Sequence, residues 1–280
     1  MKYQDVRFPS FIIPYGSSIV QMNDDPLVKP GIVVDEIAFV DELCLDHVEE
    51  MSENEELVRF MALCSLRNRD FDIPSAKMRL SKYLAWRKNA FGSLSDQKLS
   101  DCKVTQSQVV ASLLYICPTR LPDGSALVYV RMKNHNPKEY ETSQTIRYWH
   151  FIFLSAIKMD PNLARTGLTI VNNFAGATLE NADLGVARGI VSAVSKCMPV
   201  RIRGINLVNP PWVFRFIIPI MKSLFSAKLG QRINVIVNLE DLTTVSNIPV
   251  TALPTELGGE LVIEHPDILL SRLLELQFFV

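Results

Sequence analysis

The sequence predicts an α/β protein in which a small helical bundle precedes a mostly parallel sheet with crossover helices. Three observations support this fold class. Between positions 34 and 100, apolar residues recur at steps of three and four, which is typical of helices. From about position 113 onward, short apolar runs alternate with helical segments, which is typical of strand–helix–strand units. The chain has 280 residues, 48% of them hydrophobic, and is therefore long enough to bury a sizeable core.

The chain divides into four predicted regions. Residues 1–33 contain four prolines and no sustained periodicity, which predicts an irregular N-terminal arm. Residues 34–100 form the predicted helical region, and residues 101–265 form the predicted α/β domain. Residues 266–280 predict a C-terminal tail helix.

The helical region contains three predicted helices. The first has apolar residues at every third or fourth position from Ile37 to Met51. Residues 52–55, Ser-Glu-Asn-Glu, resemble a capping box and predict the start of the second helix. The third helix is predicted to begin after Asp72, with Pro74 in its first turn, where the missing N–H of proline is tolerated. Helices this close together predict a bundle.

The α/β domain contains strands separated by longer helices. Strands are predicted at residues 113–117, 126–131, 167–171, 201–208 and 233–237, and helices at residues 143–158, 180–197 and 211–225. The residues between the first two strands, Leu121-Pro-Asp-Gly124, favour a tight turn. Helices between the later strands predict parallel pairing with right-handed crossovers.

Charge and cysteine content argue against several classes of function. With 29 Lys and Arg against 30 Asp and Glu, the net charge of −1 does not suit a protein that binds nucleic acid mainly through phosphates. Five widely spaced cysteines with no Cys-x-x-Cys argue against a disulfide framework and a zinc site. No apolar run predicts a signal peptide or a membrane-spanning helix. We expect a cytoplasmic protein.

Sequence motifs for catalysis are absent. The sequence has no Gly-x-Ser-x-Gly, no P-loop, no Gly-x-Gly-x-x-Gly and no His-Glu-x-x-His. None of the four histidines has a second histidine at ligand spacing. We therefore expect no catalytic residues, no metal site and no cofactor. His150, within Tyr-Trp-His-Phe, is either a satisfied helical histidine or a polar contact for a ligand.

Two short segments carry an unusual spacing of basic residues. Arg201 and Arg203 are two apart on a predicted strand, so both side chains leave the same face. Lys228 and Arg232 are four apart and share a face if the preceding helix continues through them. A strand–helix–strand unit can bring the two pairs together as a polyanion site. The alternative is four scattered surface cations.

The predicted helix at residues 211–225 is apolar on more than one face. Such a helix is buried all round, touches a membrane, or closes an apolar cavity. Pro219 inside it weakens the helix, which suits a movable element. The candidate lid residues are Phe214, Ile217, Ile218 and Met221. Plain burial in the core is the alternative.

Six segments in this order and spacing resemble the CRAL-TRIO family of lipid-transfer proteins. They are Leu57-Val-Arg-Phe60, Phe71-Asp-Ile-Pro-Ser-Ala76, Tyr83-Leu-Ala-Trp-Arg87, Ile170-Val-Asn-Asn-Phe-Ala-Gly176, Arg203-Gly-Ile-Asn-Leu-Val-Asn-Pro-Pro211 and Leu253-Pro-Thr-Glu-Leu-Gly-Gly259. The resemblance extends from about residue 50 to residue 265. Within the family, the sequence is most similar to the group of alpha-tocopherol transfer protein and cellular retinaldehyde-binding protein.

The resemblance implies a lipid cavity and a basic cleft for phosphoinositide head groups. The helix at residues 211–225 would close the cavity, and Arg201, Arg203, Lys228 and Arg232 match the basic motif of the group. The candidate cavity-lining residues are apolar and fall in the segments that form the cavity in the family: Phe151, Leu154, Val171, Ile190, Val194 and Ile205. His150 or Ser155 would give a lone polar contact. Asn172 and Asn173 depart from the Asp common at this turn, and Pro210 also departs from the family pattern.

The expected function is therefore that of a non-enzymatic carrier. It would bind one hydrophobic small molecule, such as tocopherol, a retinoid or a similar isoprenoid, and exchange it at phosphoinositide-containing membranes by peripheral association. A phospholipid fits the same apolar cavity. The alternative function is a signalling or scaffold module that binds lipid without transferring it.

Overall fold

The computed structural model describes residues 36–95, 113–263 and 265. The predicted N-terminal arm and the predicted C-terminal tail helix lie outside these residues. Within them, three helices precede an α/β domain with a sheet of five strands, as the sequence predicts. No helix of the described ranges is both long enough and apolar enough to cross a membrane.

The helical region consists of α1 (Glu36–Cys44), α2 (Val48–Asn68) and α3 (Ile73–Phe91). The predicted break near residues 52–55 falls at Asn54, whose backbone leaves the helical conformation inside α2 (φ −157°, ψ 89°). Its Oδ1 accepts a hydrogen bond from the Leu57 N–H at 3.0 Å, so the cap is Asn54 and not the predicted Ser52.

The buried faces of these helices pack against one another and against the α/β domain. Leu57, Met61 and Cys64 of α2 are fully covered, and so are Leu80 and Tyr83 of α3. The predicted first apolar stripe is only partly buried, because the side chains at positions 37 and 48 are exposed to solvent. The bundle is therefore tighter in its middle than at its start.

The sheet has the strand order β1-β2-β3-β4-β5. The strands are β1 (Leu114–Arg120), β2 (Ala126–Arg131), β3 (Leu168–Asn173), β4 (Ile202–Val208) and β5 (Ile233–Ile236). β1 and β2 are antiparallel because the turn between them is tight, with Gly124 in the left-handed region (φ 77°) and its N–H bonded to Leu121 O at 2.8 Å. All later pairs are parallel, as predicted.

The helices between the strands begin later than some of the predicted boundaries. They are α4 (Thr142–Met159), α5 (Leu163–Thr166), α6 (Leu184–Val191), α7 (Phe214–Leu224), α8 (Ala227–Gly230) and α9 (Asp241–Thr244). The helix predicted to begin at residue 180 begins at Leu184, because Asp183 Oδ1 caps it by accepting from the Val186 N–H at 2.9 Å. It ends in a π-helical turn, Ser192–Cys197.

A small apolar cluster joins the sheet to α7 and is separate from the main core. Its buried members are Phe174, Ala177, Leu207, Phe214, Ile218 and Ile233. The rings of Phe174 and Phe214 meet edge to face with their centroids 4.9 Å apart. This contact holds α7 against the carboxyl ends of β3 and β4, where a cavity lies.

Candidate functional site

An apolar cavity lies between the sheet and α7. About 1000 Å3 of empty space lies there, a volume that includes open solvent at the cavity mouth. The sheet contributes Ile170 of β3 and Ile205 of β4, α6 contributes Val186, and α7 covers the opposite side. The strands and helices of a right-handed parallel unit leave such a space at the carboxyl ends of the strands.

Two of the predicted cavity residues line this space. Ile190, on α6, and Ile205, on β4, both face it. Val194 lies in the π-helical turn, and its side chain is outside the described part of the structure. The helix α6 therefore forms one wall, as the spacing of its apolar residues indicates.

Three other predicted cavity residues, Phe151, Leu154 and Val171, are buried in the main core instead of lining the cavity. Val171 lies between Ile170 and Asn172, which both face the cavity, and successive side chains of a strand point to opposite faces. Phe151 and Leu154 lie two and five positions after Trp149, the residue of α4 that lines the cavity, and a helical period puts them on the other side of α4.

The predicted lid helix, α7, presents apolar residues on two faces. Phe214, Ile217 and Ile218 line the cavity, and Phe214 is only 1% exposed. The side chain of Met221, the fourth predicted lid residue, is outside the described part of the structure. Pro219 lies inside the helix, where it removes one N–H donor from the helical ladder.

The outward side of α7 and the turn before it carry exposed apolar residues that are not among the candidate lid residues. Trp212 is 71% exposed, Phe216 is 70% exposed and Ile220 is 49% exposed. Phe216 and Ile220 are spaced by four on the helix, so they share one side, and Trp212 lies in the turn just before the helix. We call these three residues the outer face of α7. The signal was present in the sequence, since an excess of apolar residues over one stripe implies a second face.

A few polar side chains also line the cavity: His135, Asn172, Asp183 and Lys222. His135 is 5% exposed, and burial lowers the pKa of its imidazole, an effect that the negative charge of Asp183 partly opposes. Both oxygens of Asp183 are already used, Oδ1 by the Val186 N–H and Oδ2 by the Thr142 hydroxyl at 3.2 Å.

The polar candidates that the sequence suggested are elsewhere. His150 lies in the main core, with Nε2 3.1 Å from the Tyr83 hydroxyl. Burial and the nearby charges of Arg87 and Arg147 hold its pKa well below the usual value, so the ring is neutral. Ser155 is also buried and does not face the cavity. His150 is therefore the satisfied helical histidine of the two alternatives.

Three of the four predicted basic residues lie around the beginning of β4. Arg201 Nη2 donates to Asp70 Oδ2 at 2.6 Å and to the Asn68 carbonyl at 2.8 Å, so it ties β4 to the end of α2. Arg203 donates to the main-chain carbonyls of Arg165 and Thr166.

The helix does not continue through the second predicted pair. Arg232 Nη1 donates to the carbonyl of Ile202, between the two strand arginines, so this side chain lies close to them. Lys228 belongs to α8, which ends at Gly230, and its side chain is exposed. The predicted shared helical face of Lys228 and Arg232 therefore does not extend through both residues.

Three further arginines that the sequence analysis did not select lie beside this group. Arg165 Nε is 3.3 Å from Asp70 Oδ1. Arg69 and Arg79 each have a solvent-shielded Nε with no hydrogen-bond partner among the described residues. Burial and the charge of Arg69 lower the pKa of Arg79 to about 10. We call Arg69, Arg79, Arg165, Arg201, Arg203 and Arg232 the arginine cluster.

Comparison with known proteins assigns much of the chain. The CRAL/TRIO domain family matches residues 112–259. Proteins named "Alpha-tocopherol transfer protein-like" from Homo sapiens and Pongo abelii are 26% identical to this chain over 201 residues, and the one from Mus musculus is 25% identical. These alignments cover 69% of this chain and 56% of each relative, so the chain spans little more than half the length of these relatives.

The crystal structure of Sfh5 is one solved structure that is similar to this chain. Its TM-score is 0.49 and its sequence identity is 13%, with 86% of this chain and 92% of that chain covered.

Proposed function

This chain belongs to the CRAL/TRIO domain family of lipid-binding and lipid-transfer proteins, and we propose that it carries one hydrophobic lipid and exchanges it at phosphoinositide-containing membranes. The observation that carries the proposal is the apolar cavity between the sheet and α7. Its apolar lining suits a ligand such as tocopherol, a retinoid or a similar isoprenoid.

The free energy of binding comes from removing the apolar surface of the ligand from water. At about 25 cal/mol per Å2, a few hundred Å2 of buried ligand surface contributes several kcal/mol before ordering costs. Ile170, Ile190, Ile205 and Phe214 supply an apolar wall on four elements. The cavity thus supports tight binding with little demand on the polar groups of the ligand.

The two apolar faces of α7 support exchange at a membrane. In water, movement of α7 away from the sheet exposes Phe214 and Ile218, which are buried when it is closed. At a bilayer these residues meet lipid tails, and the exposed residues of the outer face, Trp212 and Phe216, insert first. Opening is therefore less unfavourable at a membrane than in water, which couples release to membrane contact.

The arginine cluster supports recognition of phosphoinositide head groups. A guanidinium has five N–H donors, and Arg201, Arg203 and Arg232 use only some of theirs on internal acceptors. Arginine binds phosphate oxygens in a bidentate manner, so several arginines together favour multiply phosphorylated lipids.

Transfer of a fluorescent lipid between vesicles tests the proposal. Native mass spectrometry and organic extraction first identify the lipid bound to the freshly purified protein. A fluorescent form of that lipid is then followed from donor to acceptor vesicles. We expect faster transfer when the acceptor vesicles contain phosphatidylinositol bisphosphate than when they contain phosphatidylserine. Lipid binding without accelerated transfer would support the sensing or scaffold alternative, and failure to bind any apolar molecule would contradict both.

A further inference from the structure

Two buried polar atoms that belong to cavity-lining residues have no hydrogen-bond partner among the described residues. They are Nε2 of His135 and Oδ1 of Asn172. A polar atom that is shielded from solvent and left unpaired destabilises the protein, so such atoms are usually hydrogen-bonded to another group, to water or to a ligand. Because both residues line a cavity proposed to hold a ligand, the ligand is the natural source of a partner.

The fold holds these two residues at the same end of the cavity. Asn172 is near the carboxyl end of β3, where its main chain is in register with Val130 of β2 and Leu207 of β4. His135 follows the carboxyl end of β2 after one 3-10 turn, Met132–Asn134. Its N–H is bonded to Met132 O at 3.1 Å, and its carbonyl accepts from the Asn181 amide at 2.8 Å. The polar end is thus built on anchored backbone.

The chemistry of this end discriminates among polar groups. Burial keeps the imidazole of His135 neutral, so Nε2 carries a hydrogen in one tautomer and donates. Asn172 Oδ1 only accepts. An alcohol hydroxyl accepts from His135 and donates to Asn172, so it satisfies both atoms. An aldehyde or an ether has no hydrogen to donate to Asn172.

A carboxylate fits this end poorly. It brings a negative charge toward Asn172 Oδ1 and toward Asp183, whose charge already acts on His135. Lys222 of α7 also lines the cavity and would favour an acid at its own position. Tighter binding of an acid than of an alcohol would therefore contradict the hydroxyl assignment most directly.

We infer that the cavity selects a hydroxyl-bearing lipid, an isoprenoid or related apolar alcohol or phenol, whose hydroxyl bonds to His135 and Asn172. This inference rests on the proposed function, because it specifies the polar end of the lipid that the cavity holds. It assigns to His135 and Asn172 the role of specificity-determining residues and leaves affinity to the apolar wall.

A head-group series on one tail tests it. Geranylgeraniol, its methyl ether, its aldehyde and its acid are used to displace the apolar dye Nile red from the full chain. We expect the alcohol to bind about fivefold more tightly than the ether and the aldehyde, because their oxygens also accept from His135 and they lose only the bond to Asn172, worth roughly a factor of five. The tail is constant, so differences report the head group alone. The acid is expected to bind no better than the ether.

Variants locate the preference. His135→Phe and Asn172→Leu each replace a polar side chain by an apolar one of similar size. Asn172→Leu should abolish the preference for the alcohol while the ether binds as well as before, whereas His135→Phe should weaken the alcohol, the ether and the aldehyde alike by about fivefold. Ile205→Ala is the matched control, because it lines the same cavity without polar atoms. It should weaken all four compounds and leave their ratios unchanged.

The outcomes separate this inference from the proposed function. If Nile red binds and all four compounds compete within twofold, or if the acid binds most tightly, the hydroxyl assignment is wrong and the carrier proposal stands. If the wild-type chain binds neither the dye nor any of the four compounds, the carrier proposal itself fails. The wild-type series needs no variant, so it remains informative should one of them not fold.

Discussion

The apolar cavity and the arginine cluster differ in how their polar groups are satisfied. In the cavity, His135 Nε2 and Asn172 Oδ1 have no partner among the described residues. In the arginine cluster, Arg201, Arg203 and Arg232 each donate to an internal oxygen, and the carboxylate of Asp70 lies against Arg201. The Nε atoms of Arg69 and Arg79 have no partner among the described residues, but they are shielded from solvent. The cavity therefore offers a ligand polar atoms that have no other partner. Arg201, Arg203 and Arg232 offer a ligand only the guanidinium N–H groups that are not bonded to internal oxygens.

This difference separates a binding role from a structural one. A ligand entering the cavity breaks no internal hydrogen bond of the two polar atoms. A phosphate approaching the cluster meets arginines that also fasten the start of β4 to α2, through Asn68 and Asp70. Substitutions in the cluster should therefore alter both stability and head-group binding, and the two effects have to be measured separately.

The largest effect is expected for the inner face of α7. Phe214→Ala removes a ring that is buried against Phe174, and it should lower the free energy of unfolding by about 3 kcal/mol. Urea denaturation measures this. Phe216→Ala, on the exposed outer face, is the matched control and should change stability by less than about 0.5 kcal/mol. Equal losses in the two variants would contradict a helix with one buried and one free apolar face.

The outer face of α7 should govern membrane binding instead of stability. Phe216→Ser combined with Ile220→Ser should weaken binding to phosphoinositide-containing vesicles by about 2–3 kcal/mol, because both side chains lose apolar burial in the bilayer. Vesicle co-sedimentation measures the loss. Leu45→Ser removes an equally exposed apolar residue from the helical region and should leave vesicle binding unchanged. Retained binding by the double variant would assign membrane contact to another surface.

The arginine cluster is tested by Arg203→Ala combined with Arg232→Ala. Head-group binding should weaken by roughly 2 kcal/mol, since each cation near an anionic membrane contributes about 1 kcal/mol. The free energy of unfolding should also fall, by about 1–2 kcal/mol, because bonds to the carbonyls of Thr166 and Ile202 are lost. Binding of an apolar ligand in detergent should hardly change.

Lys228→Ala is the control for that pair. Lys228 is exposed on α8, so its removal should leave stability unchanged and reduce head-group binding by at most about 1 kcal/mol. Wild-type binding to phosphatidylinositol bisphosphate vesicles by the double variant would show that these arginines only support the fold.

The fold class and the apolar character of α7 on more than one face can be predicted from the sequence because local patterns determine them. Periodicity identifies the helices and the strands, and the excess of apolar residues on α7 indicates its two faces. Pairing of β3 with β2 and β4 also follows from the order of strands and helices. These features depend on spacing along one element or on neighbouring elements.

The cavity wall and the arginine cluster depend on contacts that local patterns do not contain. Val171 was assigned to the wall as an apolar strand residue, but only the position of Ile170 beside the cavity fixes which strand face points there. Arg69 and Arg79 belong to the helical region, and their proximity to β4 arises because Arg201 bonds to Asn68. Residues from distant elements meet only after the bundle packs on the sheet.

The smallest effect is expected for the carboxylate that competes within the arginine cluster. Asp70→Asn removes the partner of Arg201 and Arg165 at 2.6 and 3.3 Å. Because Asp70 is more than half exposed, the free energy of unfolding should fall by no more than about 1 kcal/mol. Affinity for phosphatidylinositol bisphosphate vesicles should rise by about two- to fivefold, because the guanidinium groups of Arg201 and Arg165 no longer face an internal negative charge.

Asp72→Asn is the matched control. It removes the same charge from an exposed neighbouring position that has no ion pair among the described residues, so it should raise the affinity less. Co-sedimentation at several salt concentrations compares them, and equal affinities for both variants would mean that the ion pair with Arg201 does not restrain head-group binding.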